Sequence, residues 1–475
     1  MNSRNQQRKD LPTVAVILGA TGDLMRRKLV PALFHLNLEG KLPSLFSVVG
    51  FSQDALDKEG FQRLVSNMAS VKTGASLQSV ASFSKRFSYQ QGLFEEKEGY
   101  LKLAESLLMQ DTAWKVCSNK LFYLATPTSH YKTILQNLKS SGLTKPCGIK
   151  EGWTRIVVEK PFGKDLKTAQ ALDRMLGKLF AEEQIYRMDH YLGKETVQNI
   201  LAFRFSNSFL EPAWNKEWIE SVSIRLLEKE GIGERGLFYD GIGALRDVGQ
   251  NHMLQLLALF LMETPESFEG DDVRKRRAEV FKALEAPEAD RLAQLATRGQ
   301  YAGYTAEKNV AQDSLTETYF RINASLKNSR WKGVSVILES GKGLAKDLVE
   351  VQIVFRHLGY CLCPDKNKHY KNVLHYTIQP DEGVSMRFWV KKPGSKMDIE
   401  EKDFTFDYKQ AFEGEEFEEA YERLLFNVIE GDQTLFVSTE EITASWRFVD
   451  SILRGWTKRK VPLVSYKRGA EVIET

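Results

Sequence analysis

The densest concentration of reactive side chains is the run Arg187-Met188-Asp189-His190-Tyr191-Leu192-Gly193-Lys194-Glu195, in a chain with only seven histidines. The imidazole, phenol and ammonium groups of His190, Tyr191 and Lys194 can converge on one phosphate dianion, and the adjacent Asp189 can orient a base. A solvated loop has the same composition. A second histidine, His252, ends the run Arg246-Asp247-Val248-Gly249-Gln250-Asn251-His252 at the start of an apolar helix. There it either packs the helix or serves as a base titrating near neutrality. Asp247 and the earlier Glu228 offer carboxylates for sugar hydroxyls.

Two further features point to a cofactor. Gly19-Ala20-Thr21-Gly22 follows the β-branched run Val14–Leu18, and glycines at such a turn let backbone amides approach a pyrophosphate at a helix N-terminus. The spacing is G-x-x-G and not the full G-x-G-x-x-G, so an ordinary glycine turn also fits. Gly50-Phe51-Ser52-Gln53 ends the next strand, where a dinucleotide fold reads the adenosine ribose; an acid there favours NAD and an arginine NADP, and Gln53 is neither. Glu159-Lys160-Pro161 closes a later strand and sets Lys160 either at the ligand-binding edge of a sheet or on the surface before a structural proline.

The elements that must position these groups fall into two sets. Strands over 14–18, 46–51, 121–127 and 155–161 alternate with helical segments, including one that kinks or restarts at Pro31, and describe a parallel sheet with helices on both faces. This Rossmann-type α/β domain is expected over residues 10–187. Beyond it come β-rich stretches at 219–227, 315–326, 334–338, 349–355, 373–378 and 384–390, several of which alternate with period two, as strands of an antiparallel sheet with one solvated face do. Helices at 244–260, 271–284, 417–429 and 439–453 bracket them. An α+β domain with a large, mainly antiparallel sheet is expected over 188–475.

Composition excludes several classes. Sixty-six Lys and Arg against 63 Asp and Glu leave a net charge of +3, too small for a protein that tracks nucleic acid electrostatically. The longest apolar run, 253–262, is too short to span a bilayer, so no membrane partner is expected. Four cysteines make no disulfide framework for a chain of this length, which points to a reducing, cytoplasmic setting. Cys361 and Cys363 with His357 and His369 match no usual zinc spacing, and no metal is expected. The basic run 274–277 reads as a solvated helix face.

Taken together, GATGDLMRRKLVPALFHL (19–36), EKPFGKDL (159–166), RMDHYLGKE (187–195), FYDGIGALRDVGQNHMLQ (238–255), RWKGVSVILESGK (330–342), IQPDEGV (378–384) and AYERLLFNVIEGDQTLF (420–436) resemble the glucose-6-phosphate dehydrogenase family nearly end to end. The resemblance implies oxidation of glucose 6-phosphate at C1 to the 6-phosphogluconolactone, with hydride passing to a nicotinamide cofactor. It implies His252 as general base and Asp189 as the carboxylate that orients it. By the same matching, His190, Tyr191 and Lys194 would hold the 6-phosphate, and Lys160, Glu228, Asp247 and Lys342 would contact the sugar. Gly19, Thr21, Gly22, Asp23, Leu24, Lys28, Gln53 and Lys160 would bind the cofactor. A homodimer or homotetramer built on the second domain's sheet is also implied.

Three positions depart from the family pattern. Gln53 replaces an arginine that pairs with the 2′-phosphate of NADP, a charge-assisted contact worth about 1.5–3 kcal/mol. NADP therefore remains the first expectation and NAD the alternative, with Arg26, Arg27 or Thr21 as possible compensation. Glu339 stands where an arginine helps bind a structural nucleotide, which is not expected here, and Ser438 replaces a further arginine. Two other readings stay open: a dehydrogenase of a different sugar phosphate, and a non-catalytic sugar-phosphate sensor on the same scaffold. The phosphate cluster argues against an unphosphorylated sugar, and a sensor has no use for a matched base and orienter.

Overall fold

The computed structural model describes residues 12–473 apart from 71–75, 149–151, 286, 289, 358, 360–361, 363–368, 459 and 472. The run Val14–Leu18 lies in β1 (Thr13–Leu18), whose six residues are all buried, as a central strand covered on both faces must be. With it pair β2 (Phe46–Ser52), β3 (Phe87–Gln91), β4 (Asn119–Leu124), β5 (Thr154–Glu159) and β6 (Ile185–Met188), all parallel, in the order β6-β5-β4-β1-β2-β3. The chain first winds outward from β1 to β3 and then returns to β4 on the other side. A crevice therefore opens at the carboxyl ends of β1 and β4, where doubly wound sheets take their ligands.

After the glycine turn the chain makes a π-helical turn, Met25–Leu29, and then the helix Val30–Leu38 with Pro31 in its first turn, where the missing N–H costs nothing. The restart expected at Pro31 is present.

The second sheet contains β7 (Ile219–Leu227), β8 (Ala296–Tyr301), β9 (Tyr319–Ala324), β10 (Ser335–Gly341), β11 (Leu348–Phe355), β12 (Val373–Gln379), β13 (Gly383–Lys391) and β14 (Ile399–Asp407). A two-residue strand, β15 (Phe436–Val437), pairs antiparallel with β6 and so carries the late part of the chain into the first sheet. β16 (Leu463–Tyr466) completes the nine-stranded order β14-β13-β12-β11-β7-β10-β9-β8-β16. Pairing is antiparallel except at β7/β10 and β8/β16. The alternation of buried and exposed positions in β9 and β10 bears out the period-two pattern.

The stretch expected as a strand from 315 begins only at Tyr319. Its first residues are used elsewhere: Glu317 accepts the Ala244 N–H on its carbonyl at 3.0 Å and the Leu245 N–H on its carboxylate at 3.2 Å. These bonds cap the segment that carries His252. That segment is a π-helical stretch, Leu245–Met253, continued by the α-helix Leu254–Leu261, and every side chain of the latter is buried. Among the described residues no helix is long and apolar enough to cross a membrane.

Two readings from composition are corrected. Arg274 and Arg277 are buried at 4% and 1% exposure, not part of a solvated face. They share one side of the helix Gly270–Ala283; Arg277 Nε meets the fully buried Glu441 at 2.9 Å, and Arg274 bonds Gln433 and Glu182, both at 2.6 Å. Cys117 and Cys147 are joined in a disulfide with Cα atoms 5.9 Å apart. Cysteine count did not anticipate that crosslink, because pairing depends on which loops the sheet brings together. Cys361 and Cys363 lie outside the described residues; His357 and His369 have ring centroids 4.5 Å apart.

Candidate active site

His252 is 2% exposed, and its ring lies between two ionisable partners. Nδ1 meets Asp189 Oδ1 at 2.5 Å, and Nε2 meets Lys160 Nζ at 2.7 Å. An ammonium can only donate and an ionised carboxylate can only accept, so the neutral ring carries its proton on Nδ1 and its lone pair on Nε2. Asp189 is the last residue before a 3₁₀ turn and also accepts the Tyr191 N–H at 3.0 Å, which holds the carboxylate still.

The electrostatics agree with this proton placement. Burial lowers the His252 imidazole below its ordinary value, against the pull of Asp189, and the Lys160 charge lowers it further. Burial by itself would raise the Asp189 carboxyl, but attraction to His252 and their hydrogen bond outweigh it and hold the group at about 2. The pair therefore rests as aspartate and neutral imidazole, the state a general base requires at neutral pH.

Lys160 follows β5 and precedes a cis peptide bond to Pro161. Its ammonium also donates to the Asp247 carbonyl at 3.1 Å and stands 4.0 Å from that residue's Oδ1. Lys342 forms an ion pair with Glu228 and lies 3.9 Å from Asp247 Oδ2. Burial pushes the Lys342 ammonium down to about 8, helped by Lys160. Four of the candidate sugar contacts thus form one charged network, although Lys160 lies at position 160 and Lys342 at 342.

The rings of His190 and Tyr191 pack on His252 with centroids 4.7 and 4.0 Å away. Lys194 Nζ lies 4.3 Å above the Tyr191 ring. Burial lowers Lys194 to about 8, and burial with the neighbouring His252 lowers His190 to about 3. Asp189, His190 and His252 also bring their ligand atoms within 4.8 Å of one another, a spacing explained by the ring packing and the base–carboxylate bond. Arg187, from the same sequence run, turns away and is buried against Asp173 and Glu182 at 2.6 and 2.9 Å. A cleft of about 280 Å³ is lined by Lys160, His190, Tyr191, Glu228, Asp247 and His252, with Arg235 and Arg246 at its rim.

Of the candidate cofactor residues, Lys160 belongs to this cluster and Lys28 lies 5.9 Å from the Tyr421 ring beside it, while Gly19, Thr21 and Gly22 form the turn after β1 and Gln53 follows β2. Gly19 has φ +93°, and a Cβ there would come within 2.5 Å of the Ala125 carbonyl oxygen after β4, so only glycine fits the crevice. This bare backbone is the cradle a pyrophosphate needs. Gly22 closes the turn by donating to the Gly19 carbonyl at 3.0 Å. Thr21 donates to Asp54 beyond β2, Leu24 packs against the hydrophobic core, Asp23 pairs with Arg26 at 2.7 Å, and Lys28 lies 3.4 Å from Glu419. Gln53 is exposed, its carbonyl accepting from Gln91 at 3.2 Å.

Sequence reasoning missed Tyr421 and Asn251. Tyr421, on the helix Ala420–Glu430, donates to Glu159 at 3.2 Å beside Tyr123 at 2.6 Å, and so braces the residue before Lys160. Asn251 accepts the His252 N–H on its side chain at 2.7 Å. No local pattern marks either residue, since each acts through a contact. Ser438, which replaces an arginine of the family pattern, caps the helix Thr439–Thr457 in a reciprocal pair with Glu441. Glu339 accepts the Tyr319 hydroxyl at 2.8 Å.

A doubly wound sheet with a glycine turn at its crevice, and a histidine held by a buried carboxylate in an adjoining cleft, define a dinucleotide-dependent oxidoreductase. Residues 16–199 match the family model "Glucose-6-phosphate dehydrogenase, NAD binding domain", and residues 201–473 match "Glucose-6-phosphate dehydrogenase, C-terminal domain". The chain belongs to the glucose-6-phosphate dehydrogenase family. It is 39% identical over 482 residues to glucose-6-phosphate 1-dehydrogenase of Chlamydia muridarum, covering 97% of this chain and 93% of that one. Against an Arabidopsis thaliana relative named as cytoplasmic, identity is 36% over 460 residues, covering 96% and 88%. A solved glucose-6-phosphate dehydrogenase in complex with its substrate superposes with TM-score 0.90 at 34% identity, covering 98% of this chain and 96% of that chain. The Mycobacterium avium enzyme gives 0.81 at 32%, covering 97% and 95%.

Proposed function

We propose that the protein oxidises glucose 6-phosphate at C1 to the 6-phosphogluconolactone, the first step of the oxidative pentose phosphate pathway. The observation that carries the reading is the Asp189–His252–Lys160 chain of contacts inside the cleft. His252 Nε2 takes the C1 hydroxyl proton, with the substrate O–H replacing Lys160 as donor to the lone pair. Asp189 stabilises the imidazolium that forms, as the acid does in hydrolase triads. The dinucleotide, when bound, accepts the hydride that leaves C1 as the C1–O bond becomes a carbonyl.

His190, Tyr191 and Lys194 hold the 6-phosphate in this reading. Lys160, Glu228, Asp247 and Lys342 orient the sugar ring, and Lys160 would also contact the nicotinamide. Gly19, Thr21, Gly22, Asp23, Leu24, Lys28 and Gln53 hold the nicotinamide dinucleotide; family pattern alone ranks NADP before NAD, and the residues around Gln53, taken up below, decide between them. The chain is read as a cytoplasmic enzyme, in line with the name of its Arabidopsis relative. A homodimer is included, with β13 and β14 against a second copy, supported by the exposed Phe388, Phe404 and Phe406, which line an apolar groove between these strands and the helix Glu195–Phe205.

The test is to follow reduced cofactor by absorbance with glucose 6-phosphate, free glucose and other hexose phosphates, for wild type and His252→Asn. The variant should lose about 10²–10⁴-fold in kcat with a much smaller change in KM. Wild-type turnover in the variant would remove His252 from its role. Preference for another sugar phosphate would select the second enzyme reading, and binding without turnover in the wild type would select the sensor.

A further inference from the structure

Asp54, two residues beyond β2, places a carboxylate against the glycine turn. Thr21 Oγ1 donates to its Oδ2 at 2.5 Å, and the Ser52 hydroxyl lies 2.9 Å from Thr21 and 3.4 Å from the same carboxylate oxygen. The Tyr89 hydroxyl donates to the Asp54 carbonyl at 2.7 Å, and the Gly19 N–H donates to the Phe51 carbonyl at 2.8 Å. The end of β2 and the turn after β1 are thereby tied together. In a dinucleotide fold this is where the adenosine ribose is read: a carboxylate accepts from a 2′-hydroxyl, and a guanidinium receives a 2′-phosphate.

The charges around it point one way. Among the described residues no ammonium or guanidinium pairs with Asp54. The two cations named as compensation for Gln53 are turned to another acid, Arg26 and Arg27 reaching Asp23 at 2.7 and 3.4 Å. Thr21, the third, is already spent as a donor to Asp54.

We propose that Asp54 makes this enzyme select NAD over NADP, its carboxylate accepting from a free ribose 2′-hydroxyl and repelling a 2′-phosphate, with Gln53 offering no offsetting charge. The proposal rests on the dehydrogenase reading above and reverses the cofactor order expected from family pattern. Asp54 is exposed, so solvent screens the repulsion and the discrimination is moderate in size.

Dissociation constants for NADH and NADPH, read from quenching of tryptophan fluorescence, test it without turnover. Wild type should bind NADH about tenfold or more tighter than NADPH at low salt, with the ratio narrowing as salt rises. Asp54→Asn should tighten NADPH and shrink the ratio at least about fivefold, Asp54→Glu should keep it, and Asp54→Asn with Gln53→Arg should invert it. Equal affinities in the wild type, or a ratio unmoved by Asp54→Asn, would overturn the proposal. Turnover of glucose 6-phosphate is measured alongside with each dinucleotide at saturation. Turnover with NADPH bound more tightly overturns the cofactor assignment alone, whereas no turnover with either dinucleotide overturns the functional reading beneath it.

Discussion

In the proposed reaction Nε2 of His252 is the atom on which catalysis turns, and Lys160 acts on it by occupying its lone pair and by charge. The Lys160 cation lowers the imidazole. Removing it in Lys160→Met should therefore move the acidic limb of the kcat/KM profile to higher pH, beyond any loss of rate. An acidic limb in the same place would show that the contact does not tune the base. Lys194 makes a second pH-dependent statement. Its ammonium is held down at about 8, so the cation is present below that pH and lost above it. The kcat/KM for the phosphorylated sugar should fall as pH climbs past about 8, and Lys194→Arg, whose guanidinium stays charged, should delay that fall. A profile unmoved by Lys194→Arg would place the phosphate elsewhere.

At the level of elements, the cleft depends on helices from the end of the chain that pack onto the first sheet. Arg155 of β5 donates to the Val428 and Ile429 carbonyls at 2.6 and 2.8 Å, satisfying the last turn of the helix that brings Tyr421 to Glu159. The helix Thr439–Thr457 is joined to Gly270–Ala283 by the Arg277–Glu441 pair, which is 1% and 0% exposed. Truncating one member leaves a buried charge without its partner. Glu441→Ala should cost about 3–5 kcal/mol, read from the urea midpoint, whereas Arg277→Leu with Glu441→Leu should recover most of the loss. A single variant within about 0.5 kcal/mol of wild type would show that the pair carries no such weight.

For the molecule as a whole, the nine-stranded sheet ends at β14, with Phe404 and Phe406 exposed at 62% and 42% and Phe388 edge-on to Phe404 at 4.8 Å. Apolar rings left exposed along a groove at the end of a sheet are covered by association. Sedimentation velocity should find a dimer or larger species, and Phe404→Glu should shift it towards monomer; a wild-type monomer at micromolar concentration would remove the sheet from that role.

The residues of the site were largely legible before the fold. Gly19, Asp189 and His252 stand in spacings with a chemical rationale, and β1, β7 and the helix Val30–Leu38 follow from periodicity and from Pro31. Other features had no local signature. Arg274 and Arg277 carry the composition of a solvated face, yet they are buried because acids and amides from the chain's end meet them. Asp54 sits one residue past the position where the family pattern looks for an arginine, and only its contact with Thr21 across 33 residues gives it meaning. What the sequence determined alone was the set of elements and the reactive groups on them, since backbone preference and side-chain chemistry are local properties. What the tertiary structure decided was which groups share a cleft and in which protonation state, because burial and Coulomb interactions depend on neighbours that lie 63 residues away for Asp189 and 92 for Lys160.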